Sequence, residues 1–189
     1  HEWSGSFGDY LREKSGIADY RIRTAIQAMR DGSADLSHFV GMVTEYGNQN
    51  YSATPELLYA LYLIAKEAKG AILETGTGLS SVVLAVASEK TGNPVISLEH
   101  DKGWLQESKK LLSGLGLSHR PTFAPLVDGW YGFDAVPDLA LVLCDGPQRQ
   151  HGRAGLFRKH GDRLKGAVVV VDDYETEGAL IDDWLQGRP

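Results

Sequence analysis

The chain has few of the features that mark secreted, membrane-bound or nucleic-acid-binding proteins. Its single cysteine, Cys144, cannot form a disulfide within the chain, which fits a reducing compartment and favours a cytoplasmic location. No apolar run approaches the length of a membrane span, and no basic-then-apolar secretory signal opens the sequence. The formal net charge of −6 argues against a broad nucleic-acid-binding or anionic-membrane-binding surface. We therefore expect neither nucleic acid nor a membrane as a partner.

The composition is that of an ordinary globular protein. With 189 residues, 42% of them hydrophobic and 23% charged, the chain is long enough for one domain with a sizeable core. Residues 1–69 lack strand-like runs and predict a helical N-terminal cap, whereas residues 70–189 alternate between strand and helix patterns. We expect the two regions to form one compact unit. Helices are predicted over residues 20–29 and 36–46 and from Thr54-Pro55 onward, with Thr54 as N-cap.

The second region reads as repeated β-α units. An apolar run from Ala71 ends at Glu74, and four further runs follow along the chain. Repeated β-α alternation implies a parallel sheet with right-handed crossovers. The further strands are predicted at residues 95–98, 122–126, 139–144 and 167–171, with helices at 82–87, 103–112 and 177–185.

The most informative segment is the turn after the first strand. Gly76 and Gly78 let the backbone turn sharply and approach a ligand closely, and the helix that follows begins with free N–H groups. The carboxylate of Glu74 beside this turn would repel a phosphate but suits a ligand with an amine or another positive charge. S-adenosylmethionine (SAM) carries both an ammonium and a sulfonium.

Acidic residues follow four of the five predicted strands. Glu74, Glu99, Asp145 and the pair Asp172-Asp173 each stand at a carboxyl end. In open α/β sheets ligands bind along that edge, at the switch in strand order. Any one of these acids could simply cap a helix or form a turn. The set as a whole predicts a functional site.

These motifs in this order resemble class I SAM-dependent methyltransferases, and within them a poorly characterised bacterial branch. That branch combines Glu-x-Gly-x-Gly-x-Ser with Glu-His-Asp after the second strand, Asp-Gly-Pro after the fourth and Asp-Asp after the fifth. The resemblance covers roughly residues 51–185. It implies an α/β Rossmann-like fold with parallel strand order 3-2-1-4-5 and helices on both faces. Such proteins usually continue into an antiparallel strand pair, which we expect to be absent here.

The resemblance also implies roles for individual residues. Glu74 would lie near the methionine ammonium, directly or through water, and Glu99 would accept hydrogen bonds from the ribose hydroxyls. His100 would line the adenosine pocket, although a solvated loop histidine is an equal alternative. Asp128 could reach the adenine amino group. The implied cofactor-binding residues are Glu74, Gly76, Gly78, Glu99, His100 and Asp128.

Three residues are candidates for the base that deprotonates the methyl acceptor: Asp145, Asp173 and His151. His151 could equally be an exposed loop residue. The acceptor is expected to be a small molecule, with oxygen favoured as the methylated atom. Arg149 and Arg153 leave open an acidic acceptor. The neighbouring Trp130-Tyr131 pair is interpreted as an aromatic plug rather than part of an acceptor pocket.

A divalent metal is the weaker alternative. Asp145, Asp172 and Asp173 could converge as hard oxygen ligands for magnesium or calcium. Three acids with no nearby lysine or arginine would repel one another unless a cation or protons intervened. However, Asp172 or Asp173 could instead cap the helix that follows, which leaves too few ligands. We therefore expect no metal.

Two other functions stay open. A nicotinamide-dependent oxidoreductase would need a third glycine at the position of Ser81. It would not need an acid such as Glu74 next to the phosphates of the cofactor. Alternatively, the chain could keep this fold as a non-catalytic binding module. A homo-oligomer is also possible.

Overall fold

The computed structural model describes residues 19–47, 53–133, 138–147, 151–174, 178–179, 181–182 and 186. The described part of the predicted cap, residues 19–47 and 53–69, is helical, with α1 at Tyr20–Asp31, α2 at Leu36–Tyr46 and α3 at Pro55–Ala65. The Thr54 hydroxyl accepts a hydrogen bond from Leu57 N at 3.2 Å, and Pro55 occupies the first helical position. Both confirm the predicted start of α3.

Five parallel strands form the main sheet. Their order along the sheet is β3-β2-β1-β6-β7, which is the predicted order 3-2-1-4-5 once the two strands of a separate hairpin are counted. β6 is almost entirely buried, as expected for an apolar strand covered on both faces. The strands are β1 at Ala71–Thr75, β2 at Val95–Glu99, β3 at Thr122–Phe123, β4 at Leu126–Val127, β5 at Trp130–Tyr131, β6 at Leu139–Cys144 and β7 at Val168–Val171.

Helices cover both faces of this sheet. The remaining ones are α4 at Leu79–Thr91, α5 at Lys102–Gly114, α6 at Gly155–His160 and a 3₁₀ helix at Gly161–Leu164. One apolar core joins α4 to the cap helices and to one face of the sheet, and a second core lies on the other face with α6. Residues 79–87 of α4 are all buried because this helix lies between the sheet and the cap. The cap and the α/β region therefore share a core.

The hairpin of β4 and β5 was not predicted. Leu126 pairs with Tyr131 and Val127 with Trp130, in antiparallel register. Asp128 and Gly129 form the two-residue turn with φ of 52° and 76°, the conformation of a type I′ turn. Trp130 and Tyr131 are fully buried, which confirms the aromatic plug. Among the residues that the structure describes, this is the single antiparallel pair.

The last predicted helix falls partly outside the described residues. Residues 175–177, 180 and 183–185 are not described, whereas Gly178, Ala179, Ile181 and Asp182 are helical. Ile181 is buried in the second core, so this segment packs against the α/β region. Within the described parts of the chain, no helix combines the length and apolar character needed to cross a membrane.

Candidate functional site

The acidic strand ends lie along one edge of the sheet. β1 pairs with β2 on one side and with β6 on the other, so that Thr75 lies level with Leu98 and with Cys144. β7 extends the same register, with Val171 level with Cys144. The acids are therefore at or next to the carboxyl ends of adjacent parallel strands, where open α/β sheets bind ligands. They are Glu74, Glu99, Asp145 and Asp172.

The two glycines of the first turn serve different purposes. Gly76 has φ of +81°, and a β-carbon there would lie 3.0 Å from the Asp145 carbonyl carbon, so the turn packs directly on the end of β6. Gly78 has an extended backbone, and a β-carbon there would find only the Trp104 ring, at 4.0 Å. Gly76 is thus required by the fold, whereas Gly78 leaves room for a ligand next to the backbone.

Glu99 links the glycine turn to the end of β2. Its Oε2 accepts hydrogen bonds from Thr77 N at 3.1 Å and from the Thr77 hydroxyl at 3.2 Å. Its Oε1 accepts from the backbone N–H groups of His100 at 2.8 Å and Asp101 at 2.9 Å. The carboxylate is buried, so these four donors replace the water that it would otherwise bind.

Glu74 is fully buried beneath the same turn. Its Oε2 accepts hydrogen bonds from the Ser81 and Ser97 hydroxyls, and Ser81 Oγ in turn accepts from Gly78 N. Burial raises the pKa of Glu74 to about 7, against the opposing effect of nearby serine hydroxyls. Oε1 is buried without a hydrogen-bond partner among the described residues. Glu74 therefore holds the turn in place through Oε2, while the Ser80 hydroxyl is close enough to lower its pKa and Oε1 makes no hydrogen bond of good geometry.

Arg153 corrects the prediction that the acids at β6 and β7 have no nearby cation. Its guanidinium is buried, with Nη2 3.0 Å from Asp173 Oδ2 and 3.6 Å from Asp145 Oδ1. Nη1 also donates to the carbonyl of Pro147. The sequence left open an acceptor-binding role for this arginine, but the structure places it inside the acidic cluster. Arg149, the other candidate, lies outside the described residues.

Asp145 has an unusual protonation equilibrium. Burial raises its pKa well above the ordinary value of 3.8, and the neighbouring Asp172 carboxylate raises it further, while Arg153 acts in the opposite direction. A quarter of the side chain is still exposed at the edge of the sheet. Asp145 is thus a carboxyl group that holds a proton more readily than an exposed aspartate does.

The proposed metal ligands do not form a metal site in the described part of the chain. No group of three or more His, Cys, Asp or Glu side chains there has an arrangement that could hold an ion. The charge of Arg153 partly neutralises Asp145 and Asp173, which is the role that a metal would otherwise have.

The histidines lie close to the acids. His100 Nδ1 is 3.2 Å from Glu99 Oε1 and 3.4 Å from the Tyr131 hydroxyl, and its side chain is 17% exposed. His100 therefore contacts the acidic edge of the sheet, and its role in an adenosine pocket stays a prediction. His151 is exposed, and its ring centroid lies 6.2 Å from that of His100. Asp128 is exposed at the hairpin tip, where its positive φ explains its presence as a turn residue.

Comparison with known proteins supports this description of the fold. No protein-family model and no curated protein matches the chain. The SAH-bound methyltransferase PaMTH1 of Podospora anserina superposes with a TM-score of 0.58 at 15% identity, over 86% of this chain and 74% of that one. The fold is the Rossmann-like methyltransferase fold. The SAM-bound O-methyltransferase TomG of Streptomyces achromogenes is also similar, with a TM-score of 0.49 at 20% identity over 93% and 74% of the two chains.

Several residues of this methyltransferase-fold site were missed by sequence reasoning. Thr77 and Ser97, which support the two buried glutamates, were not singled out. Tyr131 was interpreted only as part of the aromatic plug, but its hydroxyl also packs against Gly146. The Asp128-Gly129 pair was a recognisable hairpin signal that would have placed Tyr131 beside the sheet. No signal in a single sequence pairs Arg153 with Asp173, because the two residues follow different strands, β6 and β7, and meet only in the folded protein.

Gly146 provides a test of how tightly the strand ends pack. A β-carbon at Gly146 would clash with the Tyr131 hydroxyl and lie 2.7 Å from Gly76 N. We expect Gly146→Ala to lower the free energy of unfolding by about 1–3 kcal/mol, because it overpacks a rigid contact. Chemical denaturation measures the change. Gly114→Ala is the matched control, since a β-carbon there meets nothing within 4 Å. Equal stabilities of the two variants would show that the contact around Gly146 can relax.

Proposed function

We propose that the protein is a SAM-dependent methyltransferase that transfers a methyl group to a small molecule, at an oxygen atom. The observation that carries this proposal is the direct contact between the glycine turn of β1 and the acid at the end of β2. Thr77 N donates to Glu99 Oε2. The glycine turn and Glu99 therefore border the same position at the edge of the sheet, near the point where the strand order reverses. The fold supports the proposal without identifying the cofactor.

The residues at this position fit SAM. Gly78 leaves space against the backbone, and the buried Oε1 of Glu74 lacks a donor that an ammonium group could supply, directly or through water. Glu99 stands where a carboxylate would hold the ribose hydroxyls, and half-buried His100 is placed beside it. When bound, SAM supplies the methyl group and a good leaving group.

The protein's own task is then to align the acceptor and remove its proton. Positioning alone can contribute roughly 7–11 kcal/mol of the barrier. Asp145 is the preferred base, since its raised pKa makes it a stronger proton acceptor than an ordinary aspartate and part of its side chain is exposed at the edge of the sheet. Asp173 is the second candidate for the base, because it is paired with Arg153. His151, which is exposed, is the third candidate. We propose that no divalent metal takes part, with Arg153 as the local positive charge.

A nicotinamide cofactor is less compatible with the turn. Ser81, where a third glycine would be needed, accepts a hydrogen bond from Gly78 N and donates one to Glu74. This arrangement keeps a carboxylate directly under the turn, where a pyrophosphate would be repelled.

An acidic methyl acceptor also loses support, because Arg153 is committed to Asp173. A bacterial source, a cytoplasmic location and a homo-oligomer stay predictions from the sequence.

Calorimetry with SAM tests the cofactor directly. We expect the parent protein to bind SAM and not NAD, and we expect Glu99→Ala to weaken SAM binding by about 1–3 kcal/mol through loss of a charged hydrogen bond. Glu107→Ala is the matched control, because Glu107 is an exposed acid of α5 paired with Lys110. Absence of SAM binding by the folded protein at millimolar concentration would contradict the proposed function. Binding of NAD instead would favour the oxidoreductase.

A further inference from the structure

The carboxylate of Glu99 has no free acceptor position. A carboxylate offers about four lone-pair sites. In the structure they receive Thr77 N, the Thr77 hydroxyl, His100 N and Asp101 N. A ribose hydroxyl that hydrogen-bonds to Glu99 must therefore displace one of these donors.

Three of the four donors are fixed in place. The backbone N–H groups of His100 and Asp101 belong to the turn that begins α5, where Asp101 is the N-cap. Thr77 N is held because the Trp104 indole donates to the carbonyl of Thr77 on the same turn. The Thr77 hydroxyl is different, since its hydrogen can rotate without moving the backbone.

Ser108 provides a second acceptor for the Thr77 hydroxyl. Thr77 Oγ1 lies 2.8 Å from Ser108 Oγ on α5, a distance at which either atom can donate. Both side chains are buried, Thr77 with 5% and Ser108 with 1% of its surface exposed, so water does not readily substitute for either partner. When the Thr77 hydroxyl turns away from Glu99, Ser108 can accept its hydrogen bond.

We propose that Thr77 and Ser108 form a hydroxyl switch that sets the affinity of the site for the ribose of its cofactor. This inference rests on the proposed function. In the ligand-free protein the Thr77 hydroxyl donates to Glu99 and occupies the place of a ribose hydroxyl. When the cofactor binds, a ribose hydroxyl donates to Glu99 Oε2, and the Thr77 hydroxyl donates to Ser108 instead. In both states Glu99 Oε2 accepts two hydrogen bonds and the Thr77 hydroxyl donates one.

The two hydroxyls should have opposite effects on affinity. Thr77→Val removes the internal competitor for Glu99, so that ribose binding gains a hydrogen bond without losing one. Ser108→Ala removes the alternative acceptor, so that ribose binding leaves the buried Thr77 hydroxyl unsatisfied. We expect Thr77→Val to tighten binding of S-adenosylhomocysteine (SAH) and Ser108→Ala to weaken it, each by about 2- to 10-fold.

Calorimetric titration of SAH into the parent and both variants tests the switch. Thr44→Val and Ser88→Ala are matched controls, since their hydroxyls bond to carbonyls within their own helices, away from Glu99. The 2′-deoxy and 3′-deoxy analogues of SAH provide the specific readout. The opposed shifts should disappear with the analogue that lacks the hydroxyl paired with Glu99.

The outcomes separate this inference from the proposed function. If the parent binds SAH but the two variants shift its affinity in the same direction, or not at all, the switch is wrong and the cofactor assignment stands. If the opposed shifts persist with both deoxy analogues, they do not arise from the ribose, and the switch is again wrong. If the folded parent does not bind SAH, both proposals fail.

Discussion

Asp145→Asn is expected to lower kcat for methyl transfer by roughly 10²–10⁴-fold, while SAM affinity changes little. The substitution keeps the shape of the side chain but removes its ability to accept a proton. In the parent, burial and the nearby Asp172 raise the pKa of Asp145, which makes the carboxylate a stronger base than an exposed aspartate. Single-turnover rates and SAM titration, measured on the same preparation, separate the effect on chemistry from the effect on binding.

Two controls define what this result means. Asp31→Asn, at the exposed end of α1, should leave the rate unchanged. EDTA treatment of the parent distinguishes a base from a metal ligand: loss of activity restored by magnesium would assign Asp145 to a metal. A parent-like rate for Asp145→Asn would exclude both roles and direct attention to Asp173. In that case we expect Asp173→Asn, rather than Asp145→Asn, to lower kcat.

The strands and their parallel direction could be predicted because their physical causes are local, whereas the strand order was implied by the resemblance to class I methyltransferases. Apolar runs of four to six residues that end in an acid, separated by helical patterns, favour a parallel sheet with crossovers. The glycine turn could also be predicted from the sequence, because the turn needs a residue with positive φ, and Gly76 has φ of +81°. The sequence put the Glu74 carboxylate beside this turn, but its burial and its three serine neighbours, which come from α4 and β2, could not be predicted from spacing.

The electrostatics of the acidic edge could not be predicted in the same way. Asp145, Asp173 and Arg153 lie on separate segments, and the ion pair forms because the segment after β6 carries Arg153 back over the ends of β6 and β7. A basic run after a strand is usually a solvated helix face. From the sequence, Arg153 could be named only as a candidate ligand for an acidic acceptor. In the structure it is buried, and its positive charge keeps two acids close together.

Glu74→Gln is expected to remove the pH dependence that a buried carboxyl group imposes on stability. The folded-state pKa of Glu74 is about 7, raised from 4.5 by burial. Between these values the folded protein binds more protons than the unfolded one, so stability falls as pH rises. Full ionisation of Glu74 above pH 7 should cost about 3 kcal/mol, a cost that the neutral amide of the variant does not incur.

The experiment compares the free energy of unfolding of the two proteins by chemical denaturation at pH 5.5 and pH 8. The difference between parent and variant measures Glu74 together with its smaller influence on Asp145, whose pKa the Glu74 charge also raises. We expect the variant to gain on the parent by about 2 kcal/mol over this interval, which covers most of the window between the two pKa values. Glu56→Gln, in the exposed first turn of α3, should show no such gain. A constant difference would mean that Glu74 stays ionised at both pH values, held by its serine donors against the effect of burial.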